Sequence, residues 1–289
     1  MAAEITQALP DGADLPVELT EKRHRWREAH TVVALRIAVV GVLIGLWQIM
    51  SGPVLPQYAV SQPSQVAVAL WDLITSSAGW SDIRTTAFEI VLGFILGVAL
   101  GTALALVLGS IPLAGRVFEP LIAAVNGIPK IALAPLFLLF FGIGDWSKIA
   151  IAVTSVSFIM FYNLYIGLRL VEPKLVEGVR IMGGRGRHVL AYVTIPSLAA
   201  PFFAGLKAGA PLAILGVIAG EFIGSFNGVG HLLYTDANDL DAAGTFAGLI
   251  ILVAMALIMN GILTGLDNAA LRRLGLAARA RTPGRRARR

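Results

Sequence analysis

Ile83 to Leu108 reads IRTTAFEIVLGFILGVALGTALALVL, and this stretch decides the fold class. Past Arg84 its only ionisable residue is Glu89. The run exceeds the about 20 apolar residues that an α-helix needs to cross a hydrocarbon core, and it is far too long for a strand. Backbone N–H and C=O groups find no water at that depth, so the segment must satisfy its own hydrogen bonds as a helix. Gly93, Gly97 and Gly101 recur at every fourth position. They lay a stripe of small residues along one face, which lets helices approach closely in lipid.

Working outward, five more apolar runs appear. The first is Thr31 to Met50, and the third is Val117 to Phe141, broken at Gly127-Ile128-Pro129. The fourth is Ile149 to Leu168, the fifth Leu198 to Ile223 and the sixth Thr245 to Thr264. These predict an all-α polytopic protein of six transmembrane helices. Composition agrees: 56% of the 289 residues are apolar and 14% charged, whereas a soluble domain carries about 25% charged residues. Ser61 to Ser77 predicts a short helix at the outer interface, with Pro63 near its start and Trp71 suited to the headgroup level.

Charge sets the expected orientation. Most of the 23 basic residues fall in segments that one side of the bundle would share: Lys22 to Arg27, Arg116, Arg169 to Arg187, and the arginines from Arg272 onward. The opposite segments hold Arg84 and Lys148 beside Asp72, Asp82, Asp145, Asp236, Asp239 and Asp241. The positive-inside rule then places both termini in the cytoplasm. Residues 1–30 mix acids with a late basic cluster, which predicts a mobile cytoplasmic tail rather than a secretory signal. The division expected is that tail, a six-span domain over 31–268 and a basic cytoplasmic tail over 269–289. The net charge of +5 belongs to topology and to anionic lipid, not to nucleic acid.

Several chemistries are excluded. There is no cysteine, hence no disulfide or thiolate site. No histidines or carboxylates have metal-ligand spacing; His188 and His231 are read as loop residues, and no catalytic or metal site is expected. No Gly-x-x-x-x-Gly-Lys-Ser/Thr phosphate cradle is present, so any ATP-driven work needs a separate subunit.

The segment 169–197, between the fourth and fifth runs, carries the function. Pro173 suits the first turn of a helix, Gly183-Gly184 its end, and Leu175, Val179 and Met182 share one face. Lys174, Glu177 and Arg180 are left to the others, and a second helical stretch ends at Ile195-Pro196. Glu177-Gly178-Val179-Arg180, Gly183 six after the Glu, and Val193-Thr194-Ile195-Pro196 resemble the coupling motif of ABC-importer permeases, whose Glu-Ala-Ala triplet here has Gly178 and Val179 for the alanines. Asn126 to Leu136 with Phe141-Gly142-Ile143-Gly144, and Ala219 to Gly224 with Asn227-Gly228-Val229-Gly230, are similar to signatures of the nitrate, taurine, alkanesulfonate and bicarbonate branch.

The resemblance implies a type I importer permease of the bacterial inner membrane. Its loop docks on a cytoplasmic ABC ATPase, with Glu177, Gly178, Val179, Arg180, Gly183 and Pro196 as coupling residues. It also implies a second permease copy, two ATPase copies that bind ATP and Mg, and an external solute-binding protein. The chain itself is expected to hold no cofactor and to pass a small anion or related organic compound.

Charges inside the spans are the remaining candidates. Lys130 follows the Pro129 break, where freed backbone is tolerated only beside protein or water. Lys130 attracts an anion in the translocation path, pairs with an acid such as Glu89 or Glu221, or bends toward an interface. Glu221, near the outer end of the fifth span, suits a gate or an ion pair; Glu89 and Lys207 have routes to an interface, and Asn163 and Asn260 suit interhelical hydrogen bonds. Two other classes compete. A secondary transporter would tend to show a second broken helix in an internal repeat, and a membrane-embedded enzyme would need a carboxylate or histidine cluster beyond Glu172 and Glu177.

Overall fold

The computed structural model describes residues 17–52, 56 and 60–273, in two units, Met1–Ser64 and Gln65–Arg289. In the first unit α1 spans Val17–Met50. Its helix takes in residues 17–30 of the stretch expected as a tail; residues 1–16 and 274–289 lie outside the described residues. Past α1 the chain turns back on itself. Ser51 Oγ donates to the Val60 carbonyl at 2.5 Å, and Gln48 Oε1 accepts the Ser64 N–H at 3.2 Å.

The short helix expected next is present as α2, Pro63–Thr75, with Pro63 at its first position. Ser76 then caps α3, Ser77–Ser110, its hydroxyl accepting the Gly79 N–H at 3.1 Å. The faces of α3 sort by size rather than polarity. Phe88, Val91 and Ile95 point outward, while Ile90, Gly93, Phe94, Gly97 and Gly101 are buried. Lipid is as apolar as a side chain, so close packing and not hydrophobicity chooses the buried face. The glycine stripe lies against α6, Asp145–Arg169: a Cβ at Gly93 would stand 2.7 Å from that of Ala152, and one at Gly97 2.6 Å from that of Val156.

The third expected span is built in pieces. Helix α4, Pro112–Asn126, stops at the Gly127-Ile128-Pro129 break; a 3₁₀ turn, Lys130–Leu133, follows, and α5 is Ala134–Phe141. Pro129 has no N–H to donate and disfavours a helical Ile128, which ends α4 there. Gly142, at φ +76°, ends α5. Five helices among the described residues are long and apolar enough to cross a membrane alone: Thr31–Met50, Ser77–Ser110, Asp145–Arg169, Gly186–Ile223 and Ala242–Arg272.

The fifth span differs from expectation at its start. After α7, Pro173–Ile181, and the short α8, Gly186–Val189, the chain does not stop at Pro196. It runs through a π turn, Leu190–Thr194, directly into α9, Ile195–Ile223. The Ile195 N–H reaches back five residues to the Leu190 carbonyl, and the widened turn lets Pro196 sit in the first turn of α9 without breaking the rod. An outer helix α10, Val229–Asn238, and the last span α11, Ala242–Arg273, complete the unit. His231 thus lies on a helix, not in a loop, and His188 belongs to α8. Ile90, Phe94, Val156, Met160, Leu206 and Val217 centre the core, where α3, α6 and α9 meet.

Candidate functional site

Three places gather the residues singled out above. The first is the loop between α6 and α9. Glu172, in extended conformation, precedes Pro173 at the start of α7. At the other end Gly183 takes φ +81°, its N–H donating to the Arg180 carbonyl at 3.0 Å and the Gly184 N–H to that of Val179 at 2.9 Å. This pair of bonds closes the helix with a left-handed residue that only glycine occupies cheaply. Gly184 is required for a different reason, since a Cβ there would stand 2.6 Å from the Val179 carbonyl oxygen. The next turn is held by His188, whose Nδ1 accepts the Arg185 N–H at 2.9 Å.

Helix α7 buries no side chain fully: Val176 and Val179 are half-buried, and Lys174, Glu177 and Arg180 are exposed. Leu175, Ile181 and Met182 are exposed, the last two at 86% and 88%. Glu177 and Arg180 line a hollow of about 390 Å³ with Leu168, Val171, Pro173, Val176 and Thr194, at the roots of α6 and α9. Beside it, Arg169 Nη1 meets Glu119 Oε2 at 2.7 Å, joining the end of α6 to α4.

The second place surrounds the broken span. Lys130 Nζ stands 4.9 Å from the centre of the Phe158 ring. Lys130 also lines a cavity of about 230 Å³ between the 3₁₀ turn, α6 and α9, with Ile131, Ser155, Ile159, Tyr162, Leu212, Leu215 and Gly216. Both acids weighed as its partners are engaged elsewhere. Asn163 donates to the Ile159 carbonyl of its own helix at 2.8 Å rather than across to a neighbour. Lys207, read as reaching toward an interface, is ion-paired with Asp267 of α11.

The third place was not foreseen. Glu89 on α3 is fully buried and pairs at 2.8 Å with Lys148 on α6, which is only 3% exposed. Lys148 is therefore buried within the protein, although its place at the edge of an apolar run is one where a charge ordinarily meets water. Glu221 on α9 is 1% exposed and accepts from Thr86 Oγ1 at 2.7 Å and from the Gly230 N–H at 2.6 Å. Thr86 Oγ1 in turn accepts the Val229 N–H at 2.8 Å, and Asp82 Oδ1 that of Gly228 at 2.7 Å. Three side chains thus cap the orphan N–H groups at the start of α10 and complement its dipole. At the other end of α10, burial and the neighbouring carboxylates Asp241 and Asp239 push Asp236 up to about 6.

A glycine-striped helical bundle with a broken third span, and with a helix closed by Gly183 leading straight into a membrane rod, defines a transporter membrane subunit of the ABC permease type. Residues 90–272 match the model for the binding-protein-dependent transport system inner membrane component, and the chain belongs to that family. It is 30% identical to the formylaminopyrimidine transport permease protein ThiX of Halalkalibacterium halodurans, over 80% of this chain and 92% of that one. It is 28% identical to the riboflavin transport system permease protein RibX of Chloroflexus aurantiacus, over 84% and 89%. To the taurine transport system permease protein TauC of Escherichia coli it is 22% identical, over 84% and 91%, which agrees with the taurine branch. Among solved structures, an inward-facing form of the MetNI methionine ABC transporter shares the fold, with TM-score 0.53 and 18% identity over 69% of this chain and 96% of that one. The protein is a multi-pass membrane subunit of a transporter, not itself the catalyst.

Proposed function

We propose that two copies of this chain form the solute path of an ATP-driven importer in a bacterial inner membrane, both termini cytoplasmic. An external binding protein delivers the solute, and two ABC ATPase subunits hold the ATP and Mg. The observation that carries this reading is α7: a short helix with Leu175 and Ile181 uncovered, fixed by a glycine stop and joined by a four-residue turn to α8, which is continuous through the π turn with α9. An uncovered apolar helix face at a membrane-domain loop calls for a partner surface. Glu177 and Arg180, at the hollow beneath, brace that helix against the roots of α6 and α9. Gly178 and Val179 keep α7 slim at its centre, and Pro196 starts the rod that receives the motion.

The solute is a small anion such as nitrate, a sulfonate or bicarbonate, or a related organic compound. Lys130, which lines the cavity beside Pro129, supports an anion, while the names of the relatives span taurine to riboflavin. Glu221 serves as part of the outer closure instead of contacting solute.

The test is on the loop. Gly183→Val forces a β-branched residue into positive φ, a strained backbone state. The variant should insert and dimerise yet transport at a small fraction of the parental rate while the ATPase still turns over. Glu177→Lys should weaken retention of the ATPase on purification. Parental transport by both variants, with the ATPase bound, would sink the coupling role. Ligand screening of the binding protein by thermal shift identifies the solute.

A further inference from the structure

The cluster of Glu89, Lys148 and Glu221 holds two carboxyls and one ammonium, none more than 3% exposed. Their elements are all membrane-spanning or packed on a span. With both carboxyls ionised the cluster would bury one uncompensated negative charge, which a low-dielectric interior penalises. The hydrogen bonds say which oxygen is anomalous. Both oxygens of Glu221 face donors, Thr86 Oγ1 and the Gly230 N–H. Glu89 Oε1 faces the Lys148 ammonium. Among the described residues no donor faces Glu89 Oε2, although it is buried. Thr86, which bonds Glu221, lies three residues before Glu89 on α3, so the two side chains share a face of that helix and the Glu89 carboxyl is on the side of Glu221.

We infer that Glu89 Oε2 is a proton-binding site, and that the proton it holds is donated to the Glu221 carboxylate. The orphan oxygen is then a donor, Glu221 remains the anion, and Lys148 balances it. A bound sodium ion does not fit, since one uncommitted oxygen cannot supply the several ligands a hard cation requires. Other charged groups near the cluster do not change the count. On α3, Asp82 is half-buried and spent on the Gly228 N–H; on α6, Asp145 lies with Lys148 on a neighbouring hollow that opens past Ser225 and Asn227; at the start of α10 the Gly228, Val229 and Gly230 N–H groups are turned to Asp82, Thr86 and Glu221. The proton thus completes the clasp by which α3, α6 and α9 hold the start of α10. This conclusion needs only the embedded position of the cluster and stands apart from the coupling role of α7.

The consequence is an asymmetry between two similar variants. In Glu89→Gln the amide oxygen accepts from Lys148 and the amide N–H donates to Glu221, reproducing the protonated acid atom for atom. The variant should keep parental yield of folded complex within about twofold. In Glu221→Gln the amide N–H2 either opposes the Gly230 N–H, donor against donor, or turns the Thr86 hydroxyl from donor to acceptor, and folded yield should fall well below that of Glu89→Gln. Infrared difference spectra of the purified transporter complex supply a readout that packing alone does not move. The carbonyl stretch of a protonated carboxylic acid should be present in the parent at neutral pH, shift in D2O and vanish in Glu89→Gln. Loss of folding in Glu89→Gln, equal tolerance of both variants, absence of the band from the parent or its persistence in Glu89→Gln would each overturn the assignment.

Discussion

An ammonium over an aromatic face, partly withdrawn from water, gains about 0.5–2 kcal/mol from the ring. Lys130 has that contact with Phe158 and lines the adjoining cavity, so its charge is held at the cavity wall. Lys130→Gln should therefore cut uptake of an anionic solute severalfold while basal ATP hydrolysis and the yield of assembled complex stay near parental. Reconstituted vesicles report uptake and ATPase rates separately. A fall in assembly with transport per complex unchanged would instead make Lys130 a structural cation.

At the scale of elements, the contact between α3 and α6 is set by absent side chains. A Cβ on Gly101 would run into the Ser157 carbonyl oxygen and come within 2.7 Å of the Met160 Cβ. Backbone cannot yield as a side-chain tip can, so Gly101→Val should separate the helices and reduce folded yield by about 2 kcal/mol or more, as overpacking does. Gly261 and Gly265 on α11 have nothing within 4 Å of the added atom. Gly261→Ala should be neutral or slightly stabilising, since alanine favours helix over glycine by about 1 kcal/mol. Thermal unfolding in detergent compares the two. Hydropathy and fourfold glycine spacing were enough to read the five long helices, the stripe and the break at Pro129, because each is a property of contiguous residues. The loop helix was legible for the same reason: a proline start and a glycine stop are local rules. The exposure of Leu175 and Ile181 on α7 was not, since which face of a short helix is covered depends on what surrounds it.

For the whole molecule, the expected orientation rests on the distribution of arginine and lysine. Reporter fusions at Asp82 and Asp239 should behave as external, and fusions at Arg185 and Arg279 as cytoplasmic; Arg279 lies outside the described residues. A cytoplasmic signal at Asp239 would require a different number of crossings. The clasp at the end of α10 shows where sequence reading stops. Glu89 and Lys148 are 59 positions apart, and Thr86 and Glu221 are 135 apart. Nothing local marks either pair. Lys148 stands at the margin of an apolar run, where a charge ordinarily finds water, and only the crossing of α3, α6 and α9 takes it away. Each buried charge invited the search for a partner, but the partner's identity is a fact of tertiary geometry.

The unbroken Gly186–Ile223 segment is 38 residues long, so at 1.5 Å per residue it measures about 57 Å. A rod of that length converts angle into distance: a tilt of about 5° at the end nearest α7 carries the far end through about 5 Å. Glu221 sits near that far end. Pro201 and Pro211, inside α9, are the places where such a tilt can be absorbed, because each removes one rung of the backbone hydrogen-bond ladder. The mechanical gain of the rod is therefore set by how stiffly those two positions behave, and stiffening either one alters the outer stroke while leaving both ends chemically untouched.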